Sequence, residues 1–276
     1  MTCPSLAAAA HAAGQHANAP RSAVDISVQT SGFDNASVTD IEAVLHSAAY
    51  QIWQYCPDIK IRGIDVYFRP DHPQTELKLT STGRIAVGLS ARATHWAQYS
   101  FQFGHEFCHV LANFSNQSLP STRTPRAANF WLEEALCETA SLFVLQALSR
   151  TWQTAPPSPI WRNYAPWFYD YAEKRLRAPD HQLPTGMSFS AWFRANEPLL
   201  RRNPNQPDQN TIIARQLLPL FEARPSGWEA VAFLNAGASD PEETLSQHLS
   251  EWHLRCSGEL RPFVDEIATV FGLKLR

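Results

Sequence analysis

Apolar and polar residues alternate in two short segments near the start of the chain. AVDISVQT (23–30) and IRGIDVYFRP (61–70) carry β-branched residues at alternate positions, which is the period of a half-buried strand. SVTDIEAVLHSAAYQIWQYC lies between them with apolar residues at helical spacing, and Ser37 with Asp40 behind it is typical of an N-terminal cap. The pattern predicts a strand, a helix and a second strand.

A further alternating pattern predicts a strand pair. The segment TELKLTSTGRIAVGLS (75–90) contains two strand-like runs separated by a turn at Ser81-Thr82-Gly83. RIAVGLS is therefore predicted to be the last strand before a long helix. Together these elements predict an α+β fold with a small mixed sheet.

Loop-forming residues divide the chain into three predicted parts. From about Thr94 onward the spacing of apolar residues is almost entirely helical, except for a polar loop at 115–127 and a proline-rich break, TAPPSPIW, at 154–161. The predicted parts are a flexible N-terminal tail at 1–22, an α+β core at 23–153, and a helical C-terminal region at 154–276 that completes or covers a cleft.

Composition excludes several classes of protein. With 44% hydrophobic and 18% charged residues the chain resembles an ordinary globular protein, and no segment has the apolar length of a membrane span. A net charge of -3 without a basic block gives no reason to expect a nucleic-acid partner. The start, MTCPSLAAAAHAAGQHANAP, lacks the basic flank and apolar core of a secretory signal, so it is consistent with a disordered tail or a trimmed export sequence.

The segment QFGHEFCHVLANF (102–114) carries the candidate chemistry. Between Trp96 and Ser115 there is no Lys or Arg, and Glu106 is the only acid, so the polar face of this helix suits a cleft wall better than open solvent. Histidines at positions i and i+4 lie one turn apart and can both point a ring nitrogen at one Zn²⁺. On a helical wheel the polar side carries Gln102, His105, Glu106, His109 and Asn113.

A third zinc ligand is expected from the segment NFWLEEALCETASLFVLQAL (129–148). The pattern HExxHxxGxxH is excluded, because Ala112 and Ser115 stand where it requires glycine and histidine. The second segment supplies carboxylates instead, and in the absence of the upstream motif these would be interpreted as a solvated helix face.

Three glutamates of that segment differ in direction. Glu134 and Glu138 lie about 40° apart on one face, whereas Glu133 lies about 100° away from them and is the weaker ligand candidate. If Glu134 binds the metal, Glu138 one turn along is expected to accept a hydrogen bond from a ligand histidine. Cys108 and Cys137 are soft donors beside the ligands, but buried thiols are the more usual role for them.

These motifs resemble those of the gluzincin metallopeptidases, which include thermolysin-like enzymes and zinc aminopeptidases. HEFCH resembles their HExxH, and WLEEALCE resembles the tryptophan-leucine-x-glutamate segment of the aminopeptidase branch, which places the third ligand at Glu134. The ExxxE formed with Glu138 is similar to the ExxxD of the thermolysin branch. The resemblance covers residues 94–145, and no GxMEN-like stretch for holding a substrate N-terminus is present.

The resemblance implies a zincin-like catalytic domain and a peptidase activity. His105, His109 and Glu134 would hold Zn²⁺, and Glu106 would be the general base that activates water against a peptide or protein substrate. By chain order, RIAVGLS would be the cleft-edge strand that pairs with extended substrate. The alternative is a non-catalytic peptidase-like scaffold used for binding, with or without structural metal; the presence of Glu106 favours the enzyme.

A donor to the transition state is also expected in such a site. The aromatic-rich segment after the proline-rich break supplies candidates, although such a segment more often forms an aromatic core. The candidates are Tyr164, Tyr169, Tyr171 and His181.

Overall fold

The computed structural model describes residues 24–115, 128–236 and 240–275. Within these ranges the chain is α+β, mostly helical with one four-stranded mixed sheet, which confirms the predicted class. The predicted tail at 1–22 and nearly all of the predicted polar loop at 115–127 lie outside the described residues. In the part of the chain that is described, every helix is too short or too polar to cross a bilayer.

The sheet forms where the alternating patterns predict strands. Its members are β1 (Ile26–Val28), β2 (Ile64–Phe68), β3 (Gln74–Leu79) and β4 (Ile85–Leu89), in the spatial order β1-β2-β4-β3. β1, β2 and β4 run parallel, and β3 pairs antiparallel to β4. The parallel strands bury apolar residues against the helices. The antiparallel strand β3 is the outermost strand at one edge of the sheet.

The expectation that RIAVGLS forms the edge of the sheet is wrong. β4 pairs with β2 on one side and with β3 on the other, so its backbone has no free side. The reason lies in the turn before it, where Gly83 adopts a φ of 77° that L residues rarely occupy, and the chain folds β3 back along β4. β3 is therefore the edge strand.

Helix α1 (Val38–Trp53) packs one face against the sheet and α2. It begins directly after Ser37, as predicted, but the Ser37 side chain makes no capping hydrogen bond. Its inward face is fully buried at Ile41 and Val44, which fixes the helix through apolar burial more than through its cap.

Two long helices carry the candidate site: α2 (Trp96–Phe114) and α3 (Phe130–Thr151). They approach closely at Gly104, where an added Cβ would lie 3.3 Å from the Ser141 Cα and from Val144. Ser141 Oγ also donates a 2.8 Å hydrogen bond to the Phe101 carbonyl. Helix α3 is buried on nearly every side, so it is a core helix without a single solvent face.

The C-terminal helices share the same apolar interior. The predicted boundary segment at 154–161 begins after α3 and runs into a short 3-10 helix, and the Trp161 ring in that helix stacks on Trp152 at 5.6 Å. Buried residues from Val24 to Phe271 form one hydrophobic cluster. The helices are α4 (Ala165–Arg177), α5 (Phe189–Arg202), α6 (Pro207–Ala223), α7 (Trp228–Val231), α8 (Leu245–Arg255) and α9 (Arg261–Val270), with 3-10 helices at Pro159–Tyr164, Pro179–His181 and Pro225–Gly227.

Candidate metal centre

A cleft of about 490 Å³ lies between the edge strand β3 and helices α2 and α3. The C-terminal region forms its other wall with Arg175, Asn205 and Asn210. These side chains come from α4, α6 and the segment before α6. The candidate site residues that line the cleft are His105, Glu106, His109, Glu134 and Glu138.

The three predicted metal ligands face one another across α2 and α3. His105 Nε2 lies 3.4 Å from Glu134 Oε2, and His109 Nε2 lies 3.7 Å from Glu134 Oε1. A tetrahedral zinc site with bonds of about 2.0–2.1 Å separates its ligand atoms by about 3.4 Å. Each histidine thus lies near that distance from a Glu134 oxygen, and the two contacts are made to different oxygens.

Glu133 fixes the ring of His109. His109 Nδ1 donates a 2.7 Å hydrogen bond to Glu133 Oε1, which leaves the Nε2 atom of the neutral ring without a proton and facing Glu134. Asn113 Nδ2 donates to the same oxygen at 2.6 Å, and Glu133 is only 1% exposed. Histidines that bind a metal typically donate their other ring N–H to a carboxylate in this way.

The predicted contact of Glu138 with a ligand histidine is wrong. Glu138 Oε1 instead accepts hydrogen bonds from Arg175 Nε at 2.8 Å and from Thr211 Oγ1 at 2.9 Å. Arg175 is held in turn over the Phe101 ring at 4.7 Å. The guanidinium comes from α4, so a partner distant in sequence turns the carboxylate away from the histidines, and Glu133 takes the predicted role.

Cys137 forms a second possible donor group with the histidines. Within the described ranges, His105, His109 and Cys137 offer ligand atoms that all lie within 4.8 Å of one another and could hold a metal ion. Cys137 is fully buried and does not line the cleft. Burial, together with a hydrogen bond to Cys108, raises the pKa of the Cys137 thiol well above its ordinary value.

The site has an excess of negative charge. Burial lowers the pKa of His109, but the carboxylate of Glu134, followed by that of Glu133, raises it overall to about 10. Burial raises the pKa of Glu134, but the two histidines lower it overall below its ordinary value. Without a metal, a proton on His109 therefore offsets part of the negative charge of the carboxylates.

Glu106 is positioned beside the ligands by the edge strand. Thr75 Oγ1 on β3 donates a 2.8 Å hydrogen bond to Glu106 Oε2, and Glu106 is 2% exposed while lining the cleft. Gln102 Oε1, one turn earlier on α2, accepts hydrogen bonds from the backbone N–H groups of Ser90 and Ala91. The helix is thus tied to the ends of β3 and β4, which fixes where the Glu106 carboxylate lies.

No family model, curated protein or solved structure matches the chain. The resemblance to gluzincins therefore rests on the motif residues alone.

The four candidate donors lie elsewhere in the described part of the chain. None of them is part of the lining of this cleft. Tyr164 Oη accepts a hydrogen bond from the Ala97 backbone N–H at the start of α2, and Tyr171 packs on the Phe101 ring. His181 Nε2 donates to Asp208 Oδ1 at 3.2 Å, and Tyr169 is half-exposed. The segment serves mainly as aromatic core.

Sequence reasoning missed three side chains that shape the site. Thr75 holds the Glu106 carboxylate, Arg175 holds Glu138, and Asn235 Nδ2 donates a 2.6 Å hydrogen bond to Glu133 Oε2. None of the three lies in a motif, since each comes from an element far from the HExxH helix in sequence. The adjacent acids in WLEE are the one local signal for the outer role of Glu133.

Proposed function

We propose that this chain is a zinc-dependent endopeptidase in which His105, His109 and Glu134 hold the metal and Glu106 is the general base. One observation carries the proposal. The Nε2 atoms of the two histidines lie 3.4 and 3.7 Å from oxygens of the Glu134 carboxylate. A second carboxylate, that of Glu106, lines the same cleft.

Glu134 fits the third ligand position better than Cys137. Its oxygens match the spacing of about 3.4 Å in a tetrahedral zinc site and line the cleft where substrate has access. Cys137 and the two histidines have ligand atoms within 4.8 Å of one another, but Cys137 is fully buried and does not line the cleft. Two histidines and one glutamate leave a fourth position open, as catalytic zinc sites do.

The mechanism assigns the proton transfers to Glu106. Zinc held by the three ligands would supply Lewis acidity that polarises a carbonyl group and lowers the pKa of water. Glu106 accepts the proton of the attacking water and delivers it to the leaving amine. The Thr75 hydroxyl holds Glu106 Oε2 and leaves Oε1 without that contact, in a residue that lines the cleft.

The edge strand supplies a binding surface for extended peptide. β3 is the outermost strand, and its residues Gln74, Thr75 and Leu77 line the cleft. Backbone N–H and C=O groups on an unpaired edge can add a peptide as a further strand. Such binding does not require a chain terminus, which supports internal cleavage of a peptide or protein substrate.

Hydrolysis of an unfolded protein by the zinc-loaded chain tests the proposal. Denatured casein is incubated with the protein, and new termini are identified by mass spectrometry. We expect cleavage that a chelator abolishes and that stoichiometric zinc restores. Bound zinc without any cleavage in a broad peptide mixture would contradict the proposal and favour a non-catalytic binding scaffold.

Glu133→Gln is expected to weaken zinc binding by about 10–100-fold. The substitution keeps the side-chain size but removes the charge that holds the His109 Nδ1 proton and ring orientation. Competition with a chromophoric chelator measures the affinity. Glu138→Gln serves as the comparison, with a smaller loss of affinity but a lower melting temperature, because Arg175 loses its buried partner. A larger loss of zinc affinity in Glu138→Gln than in Glu133→Gln would support Glu138 as the partner of a ligand histidine.

Zinc binding at pH 7 is expected to release about one proton per metal ion. The pKa of His109 is about 10 without metal, so its ring is protonated at pH 7 and must lose a proton before Nε2 can bind a metal. The pKa of Glu134 is lowered, so its carboxylate is already ionised. Because the folded-state pKa is raised, the stability that the His109 ion pairs give the metal-free protein is complete below about pH 6.5 and is lost as pH rises through 10.

Calorimetric titration in buffers of different ionisation enthalpy counts the released protons. The number is expected to fall as the pH approaches 10. Proton-independent zinc binding at pH 7 would show that His109 is neutral in the metal-free site and would contradict the assigned charge balance.

A further inference from the structure

The turn after α7 sends one side chain into the metal centre. Asn235, which is 7% exposed, donates from Nδ2 to Glu133 Oε2 at 2.6 Å and to Asn113 Oδ1 at 2.8 Å. The same turn is joined to the end of α2 by a 2.9 Å hydrogen bond from Ser115 Oγ to the Ala232 carbonyl. The C-terminal region therefore contacts the group that orients a metal ligand, more than 100 residues away in sequence.

Glu133 depends on these donors because it is buried. A carboxylate removed from water needs hydrogen bonds to each oxygen, and a missing donor leaves it free to turn toward another partner. Oε1 receives His109 and Asn113, which both belong to α2, whereas Oε2 receives Asn235. Asn235 thus ties the Oε2 side of the carboxylate to the C-terminal region.

We propose that Asn235 is a positioning residue of the metal centre, acting through Glu133 on the ring of His109. The inference rests on the proposed zinc site but not on the peptidase activity. It gives the C-terminal region a role beyond completing the core, because the turn at 232–236 holds the Glu133 carboxylate in place. The metal affinity of the site on α2 and α3 therefore depends on the correct packing of a segment that is distant in sequence.

A matched control exists on the same helix. Asn129, which is fully buried at the start of α3, donates to the Glu243 carbonyl at 3.0 Å and so also joins α3 to the C-terminal region. Arg201 donates to the same carbonyl at 2.9 Å. The Asn129 amide donates to Glu243 and not to Glu133, so its removal tests the loss of a buried amide that joins the same two parts of the molecule without changing the contacts of the carboxylate.

The test measures zinc affinity and the absorption spectrum of the cobalt-substituted full-length protein. Asn235→Leu keeps a similarly branched side chain and removes the donor, and Asn235→Ala removes both the branch and the donor. We expect each to lower zinc affinity by about 10-fold, the lower end of the effect of outer partners, and to alter the cobalt spectrum, because the ring of His109 is less fixed. Asn129→Ala is expected to lower the melting temperature while leaving affinity and spectrum as in the wild type.

A double-mutant cycle separates positioning from general destabilisation. If Asn235 acts through Glu133, the effect of Asn235→Leu on zinc affinity shrinks in a Glu133→Gln background. An unchanged affinity and spectrum in the Asn235 variants, an equal loss in Asn129→Ala, or full additivity with Glu133→Gln would each overturn the inference. A wild-type protein that binds no zinc would overturn both this inference and the proposed function, whereas zinc binding without an Asn235 effect overturns this inference alone.

Discussion

Glu106→Gln is expected to lower kcat/KM for peptide hydrolysis by about 10²–10⁴-fold, the usual contribution of a general base. The amide has nearly the same size and can still accept the hydrogen bond from Thr75, but it cannot take a proton from water. Glu106 does not face a histidine at ligand distance in the way that Glu134 does, so the zinc content is expected to stay at the wild-type value.

The measurement pairs initial rates on one peptide substrate with zinc analysis of the same samples. Glu222→Gln, a change of the same kind at an exposed position on α6, controls for the loss of one charge and is expected to leave the rate unchanged. Wild-type turnover in the Glu106 variant would exclude Glu106 as the base. Loss of zinc together with activity would instead place Glu106 among the ligands.

Glu134→Gln is expected to weaken zinc binding by more than the 10–100-fold that loss of an outer partner costs. It replaces the carboxylate that lies opposite both Nε2 atoms and also removes the charge that raises the pKa of His109. Cys137→Ala is the matched comparison, because Cys137 belongs to the other possible donor group. We expect this variant to keep zinc and to lose some stability, since it leaves a small cavity in the core.

Chelator competition on the two variants decides between the donor groups. Retention of zinc in Glu134→Gln with loss in Cys137→Ala would identify a His105, His109 and Cys137 site. Such a site would have its third ligand outside the cleft lining. A strong loss in both variants would show that the metal contacts both side chains, which the spacing of 3.4 and 3.7 Å around Glu134 does not require.

Local patterns in the sequence were sufficient to predict the elements that carry the site. Strand alternation and helical spacing depend on neighbouring residues, so the four strands and helices α2 and α3 appear where they were expected. The convergence of His105 and His109 follows from helix geometry alone, because positions i and i+4 share a face. Glu134 joins them because α2 and α3 pack closely at Gly104.

The directions in which the acidic side chains of α3 point could not be predicted from local patterns. A helical wheel assumes one apolar and one solvent face, but α3 is buried on nearly every side, so each acid faces whichever partner packs against it. Those partners are Arg175 for Glu138 and Asn235 for Glu133, both far away in sequence. For this reason Glu133, and not Glu138, makes the hydrogen bond with His109.

The prediction of which strand lies at the edge of the sheet was wrong for a related reason. Chain order places RIAVGLS next to the HExxH helix, but the order of strands in a sheet depends on how the preceding turn folds. The turn with Gly83 returns β3 to the outside of β4, so the cleft is bordered by Gln74 and Thr75 and not by RIAVGLS. A strand-pair prediction contains no information on which member is outermost.

Zinc content of the wild-type protein, purified without a metal-affinity tag, tests the metal centre most directly because it requires no knowledge of the substrate. Elemental analysis is expected to find about one zinc ion per chain, before or after reconstitution, as the single three-ligand site predicts. A chain that binds no zinc even after reconstitution would contradict the metal centre and with it the peptidase mechanism.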